Sequence, residues 1–235
     1  MHHPACTNRA VLLAAATLAV MASGAHASLS FTNYIFGNSA NVNSVYESAG
    51  TIYGATFGGL GTSNNGGTCW TNRDGSQMAG VGNIVWGTYA SGATIYAATN
   101  NGISISTNGG SNWTNRSGNG LGSANVRGVY ASGTTIYAAT TSVGGSGGGV
   151  SLSGTGGSSW TTYTTAQGLG SNDVNAIYRD GTTLYAATTV GLSIYNGTSW
   201  VTRLEGDGLG NNITNGVYVD GVDDRGETGL VILGG

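Results

Sequence analysis

Val174-Asn175-Ala176-Ile177-Tyr178-Arg179-Asp180-Gly181-Thr182-Thr183-Leu184-Tyr185-Ala186-Ala187-Thr188 decides the fold, together with its continuation Gly191-Leu192-Ser193-Ile194-Tyr195-Asn196-Gly197-Thr198-Ser199-Trp200. The stretch breaks into short apolar runs of strand type separated by turn pairs. Val174 to Tyr178 reads as a first strand, A. Asp180-Gly181 turns the chain into strand B, Thr183 to Thr188. Gly191 opens strand C, Leu192 to Tyr195, and Asn196-Gly197 leads to strand D, which begins Trp200-Val201-Thr202.

Outward from this segment the chain repeats it. Trp70, Trp113, Trp160 and Trp200 lie 43, 47 and 40 residues apart, and Tyr46, Tyr89, Tyr130, Tyr178 and Tyr218 lie 43, 41, 48 and 40 apart. Each of the first four tyrosines is followed seven residues on by another: Tyr53, Tyr96, Tyr137 and Tyr185. A repeat of this length built from four short strands predicts an all-β fold, a β-propeller of about five blades. Its glycine and threonine content, with no apolar positions at helical spacing, argues against a helical repeat. The Ala-Ala pair of strand B recurs as Ala97-Ala98 and Ala138-Ala139, small residues that suit closely stacked sheets.

The predicted blades span about 41–72, 83–115, 125–162 and 173–202, with a partial fifth at 212–235. In the fifth, strand A is Ile213 to Val219 and strand B Leu230 to Leu233. Phe31-Thr32-Asn33 resembles Trp113-Thr114-Asn115, so residues 28–33 read as a spare strand D that either closes the ring or marks a truncated piece of a larger one. Asn83 and Asn212 stand one residue further from their tyrosines than the leading residues of other blades, which predicts a β-bulge in blades two and five. Gly144 to Gly149, almost all glycine and serine, reads as a flexible loop.

Residues 1–27 read as a secretory signal: a basic Arg9, an apolar run from Ala10 to Met21, and Ala25-His26-Ala27 as a cleavage site. The apolar run is too short for a spanning helix. The expectation is a secreted or periplasmic protein of bacterial type, with no membrane span after cleavage. All three histidines, the one proline and Cys6 fall in this segment, and the chain has no lysine. The exported part therefore holds a single cysteine, Cys69, read as a small buried filler, and no disulfide can form within it. Removing Arg9 takes the net charge from −3 to −4. No basic footprint for nucleic acid remains, and the 44 glycines do the turn work.

These absences exclude chemistry. Without histidine there is no Ser-His-Asp or Cys-His nucleophile and no imidazole metal site; without lysine there is no Schiff base. Glycoside hydrolysis needs two opposed carboxylates, and no pair stands out: Asp180 and Asp220 occupy turns, and Glu205 and Asp207 lie in an inter-blade loop. No cofactor is expected. Asp220, Asp223, Asp224 and Glu227 form the one concentration of acid, a weak calcium candidate whose spacing fits no calcium loop.

The channel face, formed by D-to-A and B-to-C loops, would carry Asn41, Asn43, Asn83, Trp86, Asn125, Arg127, Asp173, Asn175, Asn212 and Thr214. Amides beside an aromatic suit sugar hydroxyls, and Trp86, Arg127, Asp173, Asn175 and Asn212 are the candidate ligand-binding residues. The expected partner is carbohydrate or a protein. The alternatives are a structural envelope or surface repeat protein with no small ligand, and, less favoured, a glycoside hydrolase.

Two resemblances add to this reading. Ser106-Thr107-Asn108-Gly109-Gly110-Ser111-Asn112-Trp113 is similar to the Asp-box of bacterial neuraminidase-type (BNR) repeats, Ser-x-Asp-x-Gly-x-x-Trp, with Asn108 in the aspartate place. Ser63, Asn65, Gly67 and Trp70 match equally, the run ending at Trp160 carries Thr155 there, and Ser193 to Trp200 is two residues short. The box implies a structural turn between strands C and D, away from any active site. Sialidases themselves need an Arg-Ile-Pro motif, which a proline-free exported chain lacks; Arg73, Arg116 and Arg203 follow blade tryptophans and read as outer-strand residues. Gly168-Leu169, Asn172-Asp173-Val174, Ile177-Tyr178, Asp180-Gly181, Leu184-Tyr185 and Gly191-Leu192-Ser193 resemble two-component regulator propeller repeats. That resemblance implies an extracellular sensor-type propeller and says little about ligand.

Overall fold

The computed structural model describes residues 41–222 and 228–234. The chain is a β-propeller: four antiparallel sheets of four strands each, followed by a two-stranded sheet. The first blade is β1 (Val42–Ser48), β2 (Thr51–Thr56), β3 (Gly59–Ser63) and β4 (Thr71–Arg73). The second is β5 (Val85–Ser91), β6 (Thr94–Thr99), β7 (Gly102–Ser106) and β8 (Thr114–Arg116). The third is β9 (Val126–Ser132), β10 (Thr135–Thr140), β11 (Gly149–Ser153) and β12 (Thr161–Tyr163). The fourth is β13 (Val174–Asp180), β14 (Thr183–Thr188), β15 (Gly191–Tyr195) and β16 (Trp200–Arg203); β17 (Thr214–Val222) pairs with β18 (Thr228–Gly234). Thus the fifth sheet holds two strands among the described residues. Residues 1–27, read from the sequence as a secretory signal, and residues 28–33 lie outside them.

Every blade is a meander, so each strand pairs with its sequence neighbour. The A-to-B hairpins of the four full blades have two-residue loops, whose first residues Ala49, Gly92, Gly133 and Gly181 stand at φ between 49° and 58°. A positive φ at the first loop position is what such tight hairpins need. The B-to-C turn is fixed by the last threonine of strand B: Thr56, Thr99, Thr140 and Thr188 each donate Oγ1–H to the carbonyl of Gly59, Gly102, Gly149 and Gly191, at 2.8–2.9 Å. All four hydroxyls are buried, and these bonds satisfy them.

The core lies in the seams between blades. At the first seam Tyr53, Ala55 and Leu60 meet Val85, Ala90, Ile95 and Ala97; the same positions recur at the next two seams. The alanines of strand B are fully buried, as expected for sheets packed closely face to face, and strand C contributes one fully buried aliphatic per blade: Leu60, Ile103, Val150 and Leu192. Each is worth about 1.5–3 kcal/mol of burial. The inner strands β1, β5, β9, β13 and β17 stand side by side. They approach so closely that a Cβ on Gly87 would lie 2.8 Å from the Arg127 carbonyl oxygen. Their tyrosines form a continuous row: Tyr46 to Tyr89 at 5.0 Å between ring centroids, Tyr89 to Tyr130 at 4.8 Å, Tyr130 to Tyr178 at 5.3 Å and Tyr178 to Tyr218 at 5.0 Å.

Three expectations change. The Gly144–Gly149 segment is a closed turn, in which Val143 and Ser146 exchange backbone bonds and the Gly148 amide donates to Gly122 O at 2.9 Å. Cys69 is half-buried, so it is not a buried filler. The bulges are not confined to blades two and five. Every inner strand carries one, at its second residue. Asn83, Asn172 and Asn212 are equivalent, each two residues before its inner strand, so the supposed extra residue is absent.

Candidate functional site at the start of the inner strands

The bulge aims one side chain per blade. In β5, Val85 pairs with Thr99 and Gly87 with Ala98, leaving Trp86 unopposed. Arg127 in β9, Asn43 in β1, Asn175 in β13 and Asn215 in β17 hold the same place. An unopposed residue is turned out of the ladder and can reach the neighbouring blade. Asn43 does so: its Nδ2 donates to Val85 O at 2.7 Å. Asn175 repeats the bond to Thr214 O at 2.9 Å. In both cases the acceptor is the first residue of the next inner strand, so asparagine here stitches blades together.

The two middle blades depart from that pattern. Trp86 has no amide to give, and Arg127 folds back over it, with Cζ 3.8 Å from the ring centroid. Phe57 meets the same indole edge-on at 5.4 Å and 79°. Stacking on an indole holds a guanidinium in place while leaving its edge for hydrogen bonds. Burial pushes the Arg127 pKa down, opposed by the negative charge of Asp173. Asp173 itself accepts from the Ser142 amide at 2.7 Å and the Ser142 hydroxyl at 2.6 Å. No ion pair joins Asp173 to Arg127 among the described residues.

Several polar atoms at this end are buried and unpaired: Arg127 Nε, Trp86 Nε1, Asn125 Oδ1 and Thr141 Oγ1. Asn125 and Thr141 are joined through their backbones, the Thr141 amide donating to Asn125 O at 3.0 Å. Unsatisfied groups of this kind cost stability unless something supplies a partner. The group is therefore a cation on an aromatic platform, flanked by an amide oxygen, two hydroxyls and a carboxylate.

The remaining candidates divide by role. Asn212 Oδ1 accepts from the Glu205 amide at 2.7 Å, as Asn83 does from Gly75 and Asn172 from Thr165; these side chains tie down the D-to-A loops. Thr214 is fully buried and bonds Thr188 and Gly191. Asn41 is exposed at the start of β1. Hence the structure brings Trp86, Arg127 and Asp173 together, while Asn175 and Asn212 spend their amides on inter-blade and loop bonds. Among the described residues no cluster of acids, cysteines or histidines could hold a metal; the side chains of Asp220, Asp223, Asp224 and Glu227 lie outside them.

Phe57 and Ser142 were not among the sequence candidates. Aligning the repeats would have found Phe57: it follows the strand B threonine where other blades carry Asn100, Thr141 and Thr189. Ser142 has no such signal, because its role depends on the loop that brings it to Asp173.

The C-to-D turns that resemble the Asp-box sit at the other edge of the sheet. Ser106 Oγ accepts from the Gly110 amide at 2.8 Å, Asn108 Oδ1 from the Asn112 amide at 2.8 Å, and Trp113 Nε1 donates to Gly110 O at 3.0 Å. Ser63, Asn65, Gly67 and Trp70 repeat the arrangement. With Thr155 in the asparagine place, the hydroxyl accepts from the Ser159 amide at 3.0 Å, and Trp160 Nε1 is unpaired. In the fourth blade Ser193 lies mid-strand opposite Ala186, and Tyr195 pairs directly with Trp200, so no box forms.

No family model and no curated protein matches the chain. Solved structures do. The extracellular domain of a one-component system from B. thetaiotaomicron superposes with a TM-score of 0.63 at 16% identity, over 85% of this chain and 26% of that one. An ancestral GH74 enzyme gives 0.59 at 18%, over 81% and 27%. YCF48 bound to D1 peptide gives 0.53 at 15%, over 78% and 60%. These likenesses show the propeller fold. The chain spans about a quarter of the length of the first two. Among the described residues no helix is long and apolar enough to cross a membrane.

Proposed function

We propose that this chain is an exported β-propeller interaction module that binds an acidic carbohydrate where the inner strands begin, with a ligand carboxylate on Arg127 and its hydroxyls toward Asn125, Thr141 and Ser142. One observation carries the reading: Arg127 is held on Trp86 with its Nε buried and unpaired. A planar guanidinium fixed by stacking matches a carboxylate in bidentate fashion. The amide oxygen and hydroxyls around it suit sugar hydroxyls, which both donate and accept. The departure from the asparagine stitch supports the same view, because the middle blades give up an inter-blade bond to place these two side chains.

The reading is one of recognition, since no opposed carboxylate pair accompanies the arginine among the described residues. A glycan array bearing uronate-containing and neutral polysaccharides tests it. Binding restricted to acidic glycans and lost in Arg127→Met supports the proposal. Equal binding to neutral glycans, or none, overturns it.

A further inference from the structure

We infer a second, separate saccharide site on the outer edge of the seam between the second and third blades, where Arg116 is the donor. The first seam shows what the repeat does by default. Arg73, the last residue of β4, crosses to the neighbouring C-to-D turn; its Nε donates to Gly110 O at 2.9 Å and its Nη1 to Thr62 Oγ1 at 3.3 Å. That arginine closes its seam. Tyr163 holds the same strand position at the third seam and fills it with rings, 5.5 Å from Tyr195 and 6.0 Å from Trp200.

The second seam is neither sealed nor filled. Arg116 crosses to Gly157 as Arg73 crosses to Gly110: a Cβ built on Gly157 would meet Arg116 Cγ at 2.7 Å. Yet Arg116 Nε is buried with no partner. The pairing register removes the second anchor as well. Thr62, which accepts from Arg73 Nη1, lies opposite Tyr53, and its equivalent opposite Tyr96 is Ile105, which offers no oxygen. What remains is a cleft of about 390 Å³, within the usual range of small-molecule sites. Its rim carries exposed Thr107, Asn112 and Thr155, and its floor is apolar, with Ile105 and buried Ile136 beside Arg116. Hydroxyl and amide groups around an apolar floor match a sugar ring, which has polar edges and a C–H face; the unpaired Nε–H fits a ring or hydroxyl oxygen. The cleft holds no acid to pair with an amine and one cation only, so a neutral sugar unit is the ligand class.

This site lies on different strands from Trp86 and Arg127, so the two succeed or fail independently. The test is an amide-resolved NMR titration of the full chain with maltotriose, cellotriose and xylotriose. At least one trisaccharide should shift the amides of Thr107, Asn112 and Thr155. Arg116→Met, which keeps the side-chain stem over Gly157, should weaken that binding at least tenfold with an unchanged melting temperature, whereas Trp86→Asn should leave it intact. No shift of these amides with any of the three, or shifts that persist at equal affinity in Arg116→Met, overturns the inference.

Discussion

The guanidinium of Arg127 lies 3.8 Å above the indole of Trp86, across the seam between the second and third blades. Both residues occupy the bulge position where Asn43 and Asn175 instead stitch one blade to the next. A contact of this kind contributes about 0.5–2 kcal/mol. Arg127→Met is therefore expected to lower stability by about 1 kcal/mol in urea unfolding, with a smaller effect at high salt than Asn175→Leu.

Asn175→Leu removes the donor to Thr214 O and leaves that carbonyl without its side-chain partner. The expected cost is about 1–3 kcal/mol. Trp86→Asn is the informative converse. It restores the residue that the repeat uses elsewhere, so it is expected to bridge to Val126 O and to leave the unfolding midpoint close to wild type while removing the platform beneath Arg127. Chemical denaturation separates the two outcomes.

The close approach of inner strands grades two glycines. A Cβ at position 87 would stand 2.8 Å from Arg127 O, and one at position 128 would stand 3.3 Å from Ala176 Cα. Gly87→Ala is expected to destabilise by about 1–3 kcal/mol, as overpacking does, and Gly128→Ala by less. Thermal melts of both variants check the order.

These cases show what the chain made legible. Strand boundaries followed from local signals, because each A-to-B hairpin is fixed by its own turn glycine and each B-to-C turn by its own threonine. The site was half visible. Trp86 and Arg127 stood out by residue type, and Asp173 by its place before β13. The bulge was read in blades two and five alone and its unopposed residue was not, since that residue is defined by its partner strand and leaves no local mark. For the same reason Asn175 and Asn212 were grouped with the ligand residues, although their amides are satisfied across the seam and within the loop. The C-to-D turns were legible where serine, asparagine and glycine were all present, and not at Ser193, where the shorter C-to-D connection pairs Tyr195 with Trp200.

The tyrosine row predicts an alkaline limit to stability. Burial, then the neighbouring Tyr218 and Tyr130, push the Tyr178 pKa up to about 12, and burial with Tyr89 raises Tyr46 further. The unfolded chain ionises these phenols near the usual value of about 10, while the folded chain keeps them protonated. The unfolded state therefore binds fewer protons between about 10 and about 12, and stability falls as pH rises through that window. Below pH 9 this contribution is constant. Unfolding midpoints measured from pH 7 to 12 check it, and replacing Tyr178 with Phe should reduce the slope.

Isothermal titration of the full chain with trigalacturonate, beside neutral maltotriose, tests the binding site at Arg127 most directly. The account predicts saturable binding of trigalacturonate that weakens with salt, falls at least tenfold in Arg127→Met and in Trp86→Asn, and is unchanged in Arg116→Met. Binding of trigalacturonate that ignores Arg127→Met, or a folded chain that does not bind it at all, would contradict the account.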